Sequence, residues 1–251
     1  MNSWSFPPST TKIQLDEKWS FVEKKEKNCD PEDEADLFRG DQWDHVALDA
    51  DSRLVLEVVV GKRIAENAVV LLEGVRDRLD GRVPELICSD EYPEYREAIL
   101  TVFGEKRTPP RTGKRGRPPA PRIEPPPQLG YGTVHKTREQ GRVVAVESRV
   151  VFGDVEPEVI NTSYIERQNA TDRHRNARKG RKTYRFSKDW DQHEAMTAFT
   201  MYSGNFCWPV RTLRQRHANG GWRQRTPAMT AGLTDHVWSL KEWITLPAVQ
   251  R

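Results

Sequence analysis

Ile13, Leu15, Trp19 and Phe21 alternate with polar residues on both sides of Asp16-Glu17-Lys18. This period of two predicts a strand over about 12–22. Residues 23–41 are charged and rich in Asp and Glu, which predicts a surface excursion. Strand character returns at 45–49 and 53–60 around the tight Asp49-Ala50-Asp51-Ser52 turn, so these segments predict a hairpin. With the first strand they make an antiparallel meander. From Ile64 to Leu79 the period lengthens, and Ala68, Leu71, Leu72, Val75 and Leu79 fall on one helix face. Asp80-Gly81 ends that helix. The apolar run 84–90 follows it directly, and a strand after a helix predicts a parallel crossover back into the sheet. Tyr92 to Phe103 reads as a second helix with Tyr95, Ile99 and Val102 inward.

Residues 104–128 break the pattern. Pro109, Pro110, Pro118, Pro119, Pro121 and 125–127 lie among Lys106, Arg107, Arg111, Lys114, Arg115, Arg117 and Arg122. Such a stretch predicts an extended basic insertion with no regular element. It is either a linker or an arm that tracks phosphates through Lys114, Arg115 and Arg117. Strands resume at 134–136 and 143–152 around Gln140-Gly141. A helix is predicted from Asn161 to about Lys182. Another runs from Trp190 to Phe206, with Ala195, Met196, Phe199, Tyr202 and Phe206 as an apolar stripe read as core. Residues 208–227 are polar and basic, and 226–238 look like a short docking tail. The expectation is an α/β fold with a lead at 1–11, a core at 12–206 and a basic extension at 207–251.

Composition narrows the function classes. Hydrophobic residues are 36% of the 251 and charged residues 31%, polar for a compact domain, which predicts long solvated loops. The net charge of +3 hides an uneven distribution: acidic clusters lie in the first third and bases concentrate over roughly 104–188. That asymmetry suggests a polyanion partner. Three scattered cysteines form no Cys-x-x-Cys pair, which argues against a zinc knuckle and fits a reducing compartment. Cys88, inside an apolar run, reads as a buried hydrophobe. No segment approaches the ~18 apolar residues of a membrane span, and the start lacks a signal-peptide pattern.

Three carboxylates stand at informative places. Asp16 lies within the first strand, Asp90 just past the end of the strand after the crossover, and Glu166 near the start of a late helix. In an α/β sheet, strand ends and a helix packed over them converge at one edge. Converging carboxylates repel unless cations neutralise them, and hard oxygen ligands suit Mg²⁺ or Mn²⁺. Two such ions about 3.5–4 Å apart serve in-line phosphoryl displacement. Each carboxylate also has an ordinary explanation. Asp16 can be a turn or edge residue with Glu17 as its competitor, Asp90 can cap the following helix with Glu91 beside it, and Glu166 can make a surface ion pair. On helical spacing Glu166 shares a side with Asn169, Ala170, Arg173 and His174.

Leu15-Asp16-Glu17-Lys18-Trp19, Ser89-Asp90-Glu91-Tyr92-Pro93-Glu94-Tyr95 and Asn161-Thr162-Ser163-Tyr164-Ile165-Glu166-Arg167-Gln168-Asn169 resemble the three acidic blocks of the insertion sequence 1 family of bacterial transposases. Lys182-Thr183-Tyr184-Arg185-Phe186-Ser187-Lys188-Asp189, Tyr202-Ser203-Gly204-Asn205-Phe206-Cys207 and Arg225-Thr226-Pro227-Ala228-Met229-Thr230-Ala231-Gly232-Leu233 are similar to further blocks in the same order. The resemblance implies a ribonuclease-H-like mixed sheet flanked by helices, with Asp16, Asp90 and Glu166 as an Asp-Asp-Glu triad binding two divalent metals. It implies cleavage of transposon ends and joining of the 3′-hydroxyl to target DNA. Arg167, Asn169 and Arg173 would serve DNA or the scissile phosphate, with Arg178 and Lys182 as further DNA contacts. The histidine stands at 174, one place before the family's position, which turns it by about 100° around a helix. The implied setting is the bacterial cytoplasm and nucleoid, with DNA and either a homo-oligomer or a full-length transposase subunit as partners. The chain is expected to be the catalytic part alone. The competing expectations are a structure-directed nuclease and an inactive or regulatory DNA-binding remnant.

Overall fold

The computed structural model describes residues 10–109, 119–180, 182–217 and 219–245. Strands β1 (Lys12–Val22), β2 (Gly40–Asp49) and β3 (Val55–Gly61) form an antiparallel meander. Helix α1 (Ala65–Arg78) crosses over to β4 (Leu86–Ser89), which pairs parallel with β1, and α2 (Glu94–Phe103) follows. A short ribbon of β5 (Glu105–Arg107) and β6 (Arg122–Glu124) leads to β7 (Gly130–Glu139), parallel to β4. β8 (Arg142–Phe152) turns back on β7 through Gln140 and Gly141. Both turn residues have positive φ, as a two-residue hairpin with right-handed strand twist requires. The result is a six-stranded mixed sheet in the order β3-β2-β1-β4-β7-β8. Helices α3 (Ser163–Arg175) and α4 (Trp190–Cys207), the small hairpin β9 (Gln215–Arg216)–β10 (Trp222–Arg223), and α5 (Pro227–Thr230) and α6 (Leu240–Thr245) complete the chain.

The alternation along β1 divides the molecule. Ile13 and Leu15 point into a core with α1 and α2, where Ala68, Leu71, Leu72, Val75, Tyr95 and Ile99 are buried. This is the face that the helical spacing of 64–79 predicts. Truncating one of its leucines to alanine costs about 2–5 kcal/mol. Gln14, Asp16, Lys18 and Ser20 face α3 and α4 instead. Asp49 is occupied by its hairpin: it accepts from Thr10 Oγ1 at 2.8 Å and from the Asp51 amide at 2.8 Å.

Three expectations change. The helix expected to reach Lys182 stops at Arg175, because Asn176 leaves helical geometry and its side chain accepts from the Arg178 amide. Arg178 therefore sits in a 3₁₀ turn at Ala177–Lys179, and Lys182 in a turn with φ 53°. The buried residues of α3 are Ile165, Asn169 and Asp172, so of the row Glu166, Asn169, Ala170, Arg173 and His174 Asn169 is the buried member. On α4, Ala195 is exposed and the first turns bury His193, Thr197 and Thr200, because they meet the polar side of β1. The aromatic part of the stripe packs on the C-terminal segment, with Phe206 against Trp238 at 4.5 Å and Phe199 edge-on to Trp243 at 5.3 Å between ring centroids. The ends of the Pro-rich stretch pair as the β5–β6 ribbon, so 104–128 is not wholly irregular. Lys114, Arg115 and Arg117 lie outside the described residues, as does most of the lead at 1–11. Among the described residues, no helix is long and apolar enough to cross a membrane.

Candidate active site

β1 outruns its neighbour. Its pairing with β4 ends at Leu15↔Ser89, so Asp16 and Glu17 occupy a stretch with no ladder on that side, and Asp90 is the first residue past the end of β4. Although Asp16 and Glu17 belong to opposite faces of the strand, both carboxylates reach Asp90 around this open end. Oxygen atoms of Asp16, Glu17 and Asp90 all lie within 4.8 Å of one another. Asp16 Oδ2 accepts from Asn169 Nδ2 at 2.8 Å and Oδ1 from the Glu17 amide at 2.9 Å. Glu17 is paired with Arg63. Asp90 Oδ1 is buried with no hydrogen-bond partner among the described residues. Glu166 lines the same cleft of about 520 Å³ but stands outside the close group. Its Oε1 is paired with Lys136 of β7 and accepts from Thr162 Oγ1 at 2.6 Å.

The electrostatics of this cluster are unbalanced. Burial first, and then the charges of Asp90 and Glu166, push Asp16 up to about 6 against the hydrogen bonds from Asn169 and the Glu17 amide. Burial and Asp90 push Glu17 up to about 7, a rise that Arg63 only partly opposes. Asp90 is raised by burial and by Glu166, with Arg63 and Lys136 pulling the other way. For Glu166 burial also raises, but Lys136 and Thr162 outweigh it and hold the carboxyl below its usual range. Crowded carboxylate oxygens, two of them (Asp90 Oδ1 and Glu17 Oε2) buried and unsatisfied, are the donor set a hard divalent cation takes. The residues fit such an ion: Asp16 and Asp90 would hold it, with Glu17 as a neighbouring donor.

Helix α3 is fastened to β1 at three levels. At its start Gln14 Oε1 accepts from the amides of Tyr164 at 3.1 Å and Ile165 at 2.9 Å, which satisfies donors a helix N-terminus leaves open. One turn on, Asn169 reaches Asp16. Next, Asp172 pairs with Lys18 in a fully buried network. There Lys18 lies 3.1 Å and Lys179 2.5 Å from Asp44 of β2, and Thr200 Oγ1 donates to Asp172 Oδ1 at 2.7 Å. Two cations face two carboxylates. Burial alone would raise Asp44, but Lys179 and Lys18 reverse it and hold the carboxyl far below its usual range. Burial and Lys179 push His193 down to about 4. Its Nε2 lies 3.0 Å from Lys179 Nζ, which can only donate, so the neutral ring carries its proton on Nδ1 and donates to Ser187 Oγ at 2.7 Å. No sequence expectation included Lys18, Asp44, Asp172 or Lys179. The available signal was the unbroken polar side of a central strand, Gln14-Asp16-Lys18-Ser20, which has to meet polar partners.

The remaining candidates separate. Asn169 is buried against Asp16, and Arg173 lies two turns beyond Glu166 on the same side of α3. Arg167 is on the far side. It lines a second groove of about 990 Å³ with Arg53, Tyr164, Arg175, Arg211 and Arg214. Stacking holds these guanidinium groups: Arg53 lies over Tyr164 at 3.2 Å, Arg214 over Trp222 at 4.1 Å and Arg175 over Trp208 at 4.7 Å. No carboxylate lines that groove among the described residues. Arg178 and Lys182 border neither the cleft nor the groove.

No protein-family model matches the chain, and no curated protein matches it. Among solved structures, one similar chain is that of a "Mos1 transposase paired-end complex with left transposon end". The match has 19% identity and a TM-score of 0.24, over 37% of this chain and 33% of that one, so only about a third of that protein's length is spanned. At that score the likeness carries no structural argument.

Proposed function

We propose that this chain is the catalytic region of a transposase of the insertion sequence 1 kind, performing divalent-metal-dependent cleavage and 3′-hydroxyl joining of DNA. The observation that carries the reading is the meeting of Asp16 and Asp90 at the open end of β4, only partly compensated and with Asp90 Oδ1 unsatisfied, across one cleft from Glu166. The antiparallel meander followed by two parallel strands supports a ribonuclease-H-like sheet. Bound at the carboxylates, two Mg²⁺ or Mn²⁺ ions would supply Lewis-acid stabilisation and an activated hydroxyl or water. The protein's own groups do the rest. Asn169 orients Asp16, and Arg63 holds Glu17. Lys136 and Arg138, at the mouth of the cleft, face the scissile phosphate. Arg167 and the other arginines of the far groove take the DNA backbone away from the chemistry. The reading requires Glu166 to exchange its Lys136 partner for the cation.

That same pair favours the second reading, a DNA-binding or regulatory remnant whose third carboxylate is locked away. The discriminating experiment is Mn²⁺-dependent joining of a pre-cleaved donor-end oligonucleotide to target DNA, with and without an added end-binding domain. Joining that is lost in Asp16→Ala, Asp90→Ala and Glu166→Ala supports the transposase. Hydrolysis without joining identifies a nuclease, and DNA binding with neither reaction identifies the remnant.

A further inference from the structure

The two edges of the six-stranded sheet are finished differently. At β3 the outward backbone is capped by side chains of α4. Asn205 Oδ1 accepts from the Val55 amide and its Nδ2 donates to the Val55 carbonyl, both at 2.9 Å, and Tyr202 Oη accepts from the Val58 amide at 3.3 Å. The amide of Asn205 takes the place of a neighbouring strand. At β8 nothing does so. Its ladder runs to β7 alone, and among the described residues no backbone group of β8 bonds elsewhere. The strand is eleven residues long, without proline, and Val143, Val144, Val146, Val150 and Val151 are 37–61% exposed on its two faces. A long apolar edge of this kind is a template for another strand.

We propose that β8 is the dimerisation surface of this protein, and that its occupant is β8 of a second copy, paired antiparallel across a two-fold axis. The side chains choose the register. An antiparallel self-pairing has to be centred on a residue facing its own copy. Centring on Glu147 sets two carboxylates against each other. Centring on Ser148 sets Glu147 against Arg149 of the second copy and Val146 against its Val150, and the symmetry repeats both pairs. Opposite charges and β-branched pairs directly across a ladder each contribute, whereas like charges oppose it. The ladder with β7 marks the same limits. It is regular from Ala145 to Val150, with register shifts on either side that leave Val144 and Val151 as bulges. The five residues from Val146 to Val150 that this register pairs all lie inside the regular stretch. Arg149 already lies 2.7 Å from Glu147 on its own strand and 3.0 Å from Glu91, so its guanidinium is held near the edge when the second copy arrives. The pairing is isologous and closes at two copies. It joins two six-stranded sheets into one, with Arg149 of each copy reaching Glu91 at the lining of its own carboxylate cleft.

The test is sedimentation equilibrium of the full chain without metal or DNA, so its outcome is independent of any catalytic activity. The wild-type chain is expected to be a dimer at micromolar concentration. Glu147→Arg and Arg149→Glu are each expected to weaken the dimer at least tenfold, about 1.4 kcal/mol. The double exchange Glu147→Arg/Arg149→Glu is expected to restore it to within about threefold. Val146→Asp, which puts a carboxylate opposite Val150, is expected to give monomer. Thermal melting confirms that each variant is folded, and the rescue by the double exchange cannot arise from misfolding. A wild-type chain that stays monomeric at about 100 µM overturns the proposal. So does a dimer that neither the single exchanges nor Val146→Asp disturbs.

Discussion

Two residues apart on one face of β1, Asp16 and Lys18 head two charge clusters of opposite character. Lys18 belongs to a closed set in which Lys18 and Lys179 meet Asp44 and Asp172, and the carboxylates are satisfied by cations of the chain itself. Asp16 belongs to an open set with Glu17 and Asp90, in which burial and like charge raise all three carboxyls and Arg63 compensates only in part. The closed set is the more deeply buried, since Asp16 and Asp90 are only partly enclosed. What separates a structural cluster from a chemical one here is the charge balance. A buried set that is complete within the chain fixes α3 against the sheet. A set left short of positive charge has to receive it from outside.

The comparison breaks most sharply if the open cluster proves dispensable. Asp90→Ala is expected to lower metal-dependent joining on the order of 10³-fold or more and to abolish calorimetric Mn²⁺ binding, while duplex binding persists. Unchanged Mn²⁺ binding would remove Asp90 from the site. The closed cluster is expected to answer in stability instead. Lys18→Met leaves a carboxylate buried without its partner and costs about 3–5 kcal/mol by denaturant unfolding, much of which Lys18→Met/Asp172→Leu recovers. Equal losses in the single and double variants would deny the coupling.

pH separates the clusters by sign. His193 is pushed down to about 4 from an ordinary value of 6.5. Its contribution to stability is therefore complete above pH 6.5 and is lost as pH falls from 6.5 towards 4, by up to about 1.4 kcal/mol per pH unit. His193→Gln should flatten that slope. Asp16 is pushed up to about 6 from 3.8, so the folded state binds its proton more tightly and this contribution is lost as pH rises from about 4 to 6. Asp16→Asn should accordingly raise metal-free stability at pH 7–8 by about 1–2 kcal/mol, and saturating Mn²⁺ should erase the gain by stabilising only the wild type. The smallest effect concerns the far side of α3. Arg167→Ala should weaken binding to all DNA sequences alike and reduce the slope of log affinity against log salt by about 1. A change in sequence preference would place Arg167 at a base edge instead.

Much of this is legible in the sequence alone. The period-two run at 12–22, the helix face of Ala68, Leu71, Leu72 and Val75, and the Gln140-Gly141 hairpin come out as local patterning demands. Local pattern misread what long-range partners decide. Phe206 packs as expected, but His193 and Thr200 displace Ala195 on the buried side of α4 because Lys179 and Asp172 lie there. The α3 helix stops early because Lys179 is drawn in to Asp44, a contact 135 residues away that no helical propensity reports. The Glu166–Asn169–Arg173 row was legible as spacing. That Asn169 turns inward to Asp16 while Glu166 stays with Lys136 was not.

By itself the sequence determined the alternation of strands and helices, the carboxylates at 16, 90 and 166, and the unequal spread of basic charge. Each is a property of neighbouring residues or of spacing along one element. Only the tertiary structure decided which charges are balanced. β1 runs past β4 and leaves Asp16, Glu17 and Asp90 together with Arg63 as the one paired cation among the described residues, while the next residue of β1, Lys18, is enclosed by Asp44 of β2 and Asp172 of α3, with Lys179 from the turn after α3 on Asp44. The physical reason is that charge compensation falls off over a few ångströms in space, and four elements distant in sequence set those distances here.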